Sequence, residues 1–187
     1  MNDEEKKEDE ENVVVTVRIG GNENENENED EWVSGDELEL FENDAGFEDK
    51  SKNGSLSKLL SASEFGNAEM VKEALDIIED EYVNARGEDG DTALHLGCLY
   101  GHFDVVRVLL EDIRVDCNAS DDDKGTPLQD ASASGFIEIV ELLLKKESID
   151  VNAKDCDGDT ALDCAIRGEH SAIIDVLKNA GAREGAI

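Results

Sequence analysis

Three aspartates, Asp155, Asp157 and Asp159, stand in the stretch DCDGDTALD, residues 155–163, at the spacing a calcium loop uses. Such a loop takes oxygen ligands at positions 1, 3 and 5, needs glycine at position 6 for a sharp turn, and closes on a bidentate glutamate at position 12. The first three positions fit. The glycine, Gly158, falls at position 4, and position 12 is Ile166, which offers no oxygen. Calcium is a poor reading of the stretch. His95, His102 and His170 suggest neither a metal cluster nor an acid–base pair. The chain has no G-x-S-x-G, no P-loop, no Rossmann glycine pattern and no zinc spacing, so no enzyme, cofactor or metal is expected.

The charge narrows the partners instead. The 187 residues carry 49 acids and 17 bases, a net charge of −32. That field repels nucleic acid and anionic lipid and speeds encounter with basic proteins. No stretch approaches a membrane span, and the acidic start MNDEEKKEDEEN has no signal or transit pattern. The four cysteines form no C-x-x-C pair and fit reduced thiols of the cytoplasm or nucleus. A monomer is expected.

The composition changes near residue 54. Residues 1–54 hold 20 acids and 5 bases and include the Asn/Glu run GGNENENENEDEW, which cannot bury enough apolar surface to offset the entropy of ordering. This part is expected to be a disordered acidic tail. Within it, Val14, Val15 and Val17 fit the pattern of a SUMO-interacting motif, apolar strand formers with acids nearby; the plainer reading is an apolar patch in a tail.

Residues 55–187 repeat internally. Thr92, Thr126 and Thr160 are 34 residues apart, as are Asn84, Asn118 and Asn152, Leu94, Leu128 and Leu162, Val106, Val140 and Ile174, and Leu109, Leu143 and Leu177. In FDVVRVLLED the apolar residues fill one broad helical stripe that a single helix pair cannot bury alone. The leucine column should therefore run through a stack as its core.

With TALH, TPLQ and TALD opening its units, the chain resembles the ankyrin repeat, whose signature is T-P-L-H-x-A. His95 is replaced by Gln129 and Asp163 in the later units, and Glu169 stands where the family places glycine. The resemblance covers about residues 55–182 and implies an all-α repeat solenoid: stacked helix pairs with β-turn fingers, in repeats at about 55–87, 88–121, 122–155 and 156–182. The first unit is degenerate, as a capping repeat can be.

The resemblance also explains the aspartates. The segment before each threonine becomes a tight turn at a fingertip, where Asp-Gly is favoured because glycine accepts positive φ. The acids Glu88, Asp89 and Asp91, then Asp121, Asp122 and Asp123, then Asp155, Asp157 and Asp159 would form a row along the fingers. For any single aspartate a solvated turn is the simpler account. The inner-helix positions Leu99 and Tyr100, Ala133 and Ser134, and Arg167 would face the concave groove of the family.

The expected function is a protein-interaction module or adaptor that grips a basic protein through this face. The alternative is an escort chaperone for a basic ribosomal- or histone-like protein, with a metal-binding or catalytic protein last. Calcium at the level of intracellular sensors should leave the melting curve unchanged in moderate salt. Saturable micromolar binding by calorimetry, lost in Asp157→Asn, would reverse that reading.

Overall fold

The computed structural model describes residues 50–51, 54–87 and 90–185. The acidic run, Val14, Val15 and Val17, and the fingertip acids Glu88 and Asp89 lie outside the described residues. Among those described there are eight helices and no strand. They are α1 (Ser55–Glu64), α2 (Ala68–Ile77), α3 (Ala93–Leu99), α4 (Phe103–Glu111), α5 (Pro127–Ser134), α6 (Ile137–Leu143), α7 (Ala161–Arg167) and α8 (Ser171–Asn179). Each is short, so packing rather than propensity must hold it.

Consecutive helices pair, and the pairs stack. The inner helices α1, α3, α5 and α7 touch in series, and so do the outer helices α2, α4, α6 and α8. Leu109, Leu143 and Leu177 are fully buried between the layers, and Leu59, Leu94, Leu128 and Leu162 are buried on the inner side. Burying one such leucine is worth about 1.5–3 kcal/mol. Two outer-helix columns reveal the direction of stacking. Val105, Ile139 and Ile173 are buried, while Met70 at the same place in the first described pair is exposed, with no described pair before it. Val71, Val106 and Val140 are buried, while Ile174 is half-buried, because no described pair follows it.

Polar side chains join the pairs as regularly as the leucines do. Asn84 donates to the Arg114 carbonyl (2.7 Å) and accepts from the Asp116 N–H (2.7 Å). Asn118 repeats both bonds one unit on, to Ser148 and Asp150. Asn152 accepts from Arg183 N–H at 2.8 Å, so the C-terminal segment occupies the place of a further unit. On the outer side, Arg114 donates to the carbonyls of Leu75 and Ile78, which the end of α2 leaves unpaired, and is bridged by Asp112 and Asp80. Its guanidinium holds the Asp112 carboxyl below the usual aspartate range. Lys146 donates to the Leu110 carbonyl in the same manner.

The turn between inner and outer helix is left-handed in every pair. Gly66, Gly101 and Gly135 hold φ of 75°, 76° and 85°. A Cβ there would also meet the ring of His102, Phe136 or His170 from the next pair, at 2.6 Å or closer. His102 and His170 add hydrogen bonds to the carbonyls of Glu64 and Ala133, across the joint. Glu169 holds the same turn at φ 58°. No described pair sets a ring against it, which removes the steric bar but not the conformational one. Glu169→Gly should therefore stabilise the protein by about 0.5–1 kcal/mol, the left-handed strain being offset in part by the freedom glycine adds to the unfolded chain. Gly135→Ala should have the opposite sign. Urea unfolding of both variants checks this, and a less stable Glu169→Gly would show that the glutamate side chain contributes something the turn geometry does not.

Candidate functional site: the fingers and the groove beside them

The three fingers share one hairpin. Gly87 N–H bonds the Asp91 carbonyl, Asp121 N–H the Gly125 carbonyl, and Asp155 N–H the Asp159 carbonyl, at 2.9–3.1 Å. The left-handed residues are Gly90 (φ 84°), Lys124 (φ 63°) and Gly158 (φ 84°). In the middle finger lysine thus takes the glycine position, although Gly125 follows immediately. A Cβ at Gly125 would lie 2.7 Å from an Asp121 carboxylate oxygen, a contact the carboxylate can turn to relieve, and Asp91 and Asp159 hold the same place in the other fingers.

Two of the candidate acids belong to the turns themselves. Asp155 Oδ1 accepts the N–H groups of Asp157 (3.0 Å) and Asp159 (2.9 Å), and Asp121 Oδ1 accepts the Gly125 N–H (2.7 Å). The loop that resembles a calcium site points its first carboxylate at its own backbone. Among the described residues, no group of three or more His, Cys, Asp or Glu side chains could hold a metal ion. Two further acids are paired: Asp122 with Arg86 at 2.8 Å, and Asp159 with Arg167. Asp123 and Asp157 are exposed, and Asp91 is half-buried.

Behind the fingers, the third residue of α3 and of α5 ties one unit to the next. His95 Nδ1 accepts the Thr92 N–H (3.2 Å), and Nε2 lies 3.3 Å from the Gly125 carbonyl of the following finger. These partners assign the Nε2–H tautomer. Burial holds the His95 pKa below its ordinary value, in keeping with a neutral ring. Gln129 reproduces both bonds, to Thr126 N–H and to the Asp159 carbonyl (2.8 Å). Asp163 has no proton to donate, and it is placed where none is needed. It accepts from Thr160 N–H and from the Gly185 N–H (2.7 Å) of the C-terminal segment.

The Arg167–Asp159 pair places the column that the resemblance assigns to a groove. Arg167 ends α7 and reaches back to its own finger, so its column, Leu99–Ala133–Arg167, lies on the side of the inner helices that the fingers flank. Leu99 and Ala133 are exposed there, and Ser134 is half-buried. Tyr100 caps the end of α3 and sits at the turn, its ring 6.3 Å from that of His102. One turn before Arg167 on the same helical face is the column Leu96–Asp130–Cys164. Asp130 has no counterpart in the candidate set drawn from sequence. Its signal was available: an acid stands where the sibling units have leucine and cysteine. Asp130 Oδ2 is buried without a hydrogen-bond partner. Burial, followed by the nearby Asp91 and Asp121, raises its pKa to about 8.

The sign of the pH effect follows from that shift. The unfolded carboxyl ionises near pH 4, whereas the folded one keeps its proton to about pH 8. Stability is thus drained as pH rises through this window and levels off above it. Asp130→Leu, which copies Leu96, should raise stability at pH 8 by roughly 1–3 kcal/mol and flatten the slope between pH 4 and 8. Melting curves across that range test it, and an unchanged slope would mean Asp130 is ionised in the fold.

No helix among the described residues is long and apolar enough to cross a membrane. A search of curated proteins returns no match. A family model described as ankyrin repeats in three copies matches residues 36–121 and again 113–186. Such repeats generally mediate contacts between proteins and are typically non-catalytic. With that match spanning most of its length, and with helix pairs, fingers and threonine-led inner helices recurring together, the chain belongs to the ankyrin-repeat family.

Proposed function

We propose that the protein is a non-enzymatic binding module that holds a basic protein partner along the finger-and-groove face. The observation that carries this reading is the crowding of Asp91 and Asp121 around the buried Asp130 carboxyl, which raises the cost of a bare negative charge there. A lysine or arginine brought beside these groups would relieve that cost and let Asp130 ionise. Leu96 and Leu99 supply apolar contact one unit earlier, and Arg167, held by Asp159, closes the groove one unit later. A net charge of −32 favours fast encounter with a cationic protein, opposes self-association, and suits a monomer in the cytoplasm or nucleus.

An escort role for a basic protein is the second reading. It is favoured by the uneven charge, with 20 acids and 5 bases in residues 1–54. Equal protection of the partner from aggregation by full-length and tail-deleted protein would leave only the simpler module.

The partner itself can be sought by affinity purification at low salt with mass spectrometry. Replacing Asp121, Asp122 and Asp123 together by Asn should slow its association and weaken the salt dependence, with the dissociation rate little changed. The fold should survive, because an asparagine side-chain oxygen at position 121 can still accept from Gly125 N–H. Stopped-flow mixing at several salt concentrations reads the rates. An acidic partner with salt-insensitive affinity would remove the electrostatic model.

A further inference from the structure

A second surface lies away from the fingers. Where inner helix turns into outer helix, the first two repeats expose Phe65 (57%), Tyr100 (50%) and Phe103 (42%). They are neighbours. The His102 ring covers Gly66 and bonds the Glu64 carbonyl, which places it beside Phe65, while Tyr100 lies 6.3 Å from that ring and Phe103 follows it in the chain.

The repeat does not need these side chains. Ser134 and Gly168 stand at the place of Tyr100, and Ile137 and Ser171 at that of Phe103. The turn closes by the same backbone bond with either chemistry: Phe65 N–H to Ser61, Tyr100 N–H to Leu96, and Gly168 N–H to Cys164, all at 3.0–3.1 Å. Exposed rings that the fold can replace with serine or glycine, gathered on adjacent units, indicate an interaction surface.

The charge around the rings selects the occupant. Glu64, Glu69 and Asp104 stand nearest the rings; Lys58 lies two turns back along α1, and Lys72 lies one turn on from Glu69 and is followed by Glu73. The nearest cation along α4, Arg107, is held by Asp104 and Glu111 at 3.2 Å. The rim is therefore anionic, and the ring faces can themselves receive cations. A second copy of this chain would bring acids against acids. Phe65 and Tyr100 follow neighbouring inner helices, which pack roughly 8–10 Å apart. That matches the roughly 10 Å between residues seven apart on a helix.

We propose that this turn edge docks a basic amphipathic helix of a partner protein, with apolar residues across Phe65, Tyr100 and Phe103 and Lys or Arg towards Glu64, Glu69 and Asp104. The proposal rests on the reading above only for the sign of the partner's charge; it assigns a different surface.

The test uses the full chain and two synthetic peptides. In one, Leu recurs at i, i+3, i+4 and i+7 with Lys on the flanks; in the other, Glu replaces Lys. Fluorescence anisotropy in moderate salt measures affinity, and amide shifts map contact. The Lys peptide should bind with shifts centred on Phe65–Met70 and Leu99–Asp104, and the Glu peptide should bind at least about tenfold more weakly. Phe65→Ser with Tyr100→Ser should lower affinity by about tenfold. Glu64→Gln with Glu69→Gln, which leaves the rings in place, should weaken binding and its salt dependence should the ring variant prove unstable. Absence of binding, or affinity unchanged in both double variants, overturns the proposal. So does a shift map confined to the fingers, which would leave the finger-and-groove reading standing. Loss of binding only in the Asp121, Asp122 and Asp123 triple variant overturns it in the same way. Binding intact in the triple variant but lost at the edge supports the edge proposal, and the finger reading is then judged separately by the rates of the purified partner. Self-association in sedimentation that the ring variant abolishes would assign the edge to a second copy instead.

Discussion

The fold depends on one constraint: no unit can complete its own backbone hydrogen bonding or bury its own faces. His95 and Gln129 show this most directly. Each has one end in the cap of its own helix and the other on a carbonyl of the next finger. Asn84 and Asn118 commit both ends to the next unit, in the loop behind the outer helices. Buried or half-buried backbone groups left without these partners would each cost about as much as a lost hydrogen bond. Cooperation between neighbours is therefore polar as well as apolar, and the 34-residue period fixes both registers at once.

The same constraint accounts for what is irregular at the ends. The first unit has Leu60 in the place of His95, packed towards Gly87 rather than bonded to a carbonyl. The last has Asp163, which captures the Gly185 N–H of the returning C-terminal segment. Glu169 survives in a left-handed turn because no further ring from a described pair presses on it. The departures at these two ends thus coincide with positions that have no described neighbour.

Much of this was legible in the sequence, and for identifiable reasons. The leucine and threonine columns are tied to a fixed period, so they announced the helix pairs and the core. The chemistry of single positions was less legible. Substitution of His95 by Gln129 and Asp163 gives no hint that one keeps both bonds and the other reverses its role, because the partner is a backbone group 22 to 30 residues away. The row of finger acids was visible as a row. That Asp121 and Asp155 spend their carboxylates on their own turns, and Asp122 and Asp159 on arginines, depends on hairpin geometry that composition does not contain. Asp130 was missed because attention to repeated acids passes over an acid that appears once, in a column of apolar residues.

These placements separate two roles that net charge alone merges. Carboxylates bonded within turns or to arginines lower the self-repulsion of a strongly acidic stack, since each has a local positive partner, full or partial. They still contribute to the far field that draws in a cation, because distance blurs the local pairing. On the proposed reading, short-range recognition would be shared between exposed Asp123 and Asp157, which contribute little each, and Asp130 beside Asp91 and Asp121. Asp130 differs in kind from the fingertip pair. A solvated fingertip acid is screened and gains little from a new partner. A buried carboxyl that the fold holds in protonated form gains both the ion pair and the release of its own strain. On the proposed reading, specific affinity on this face would concentrate in the third repeat, while the fingertips on either side would set how fast a cationic chain arrives.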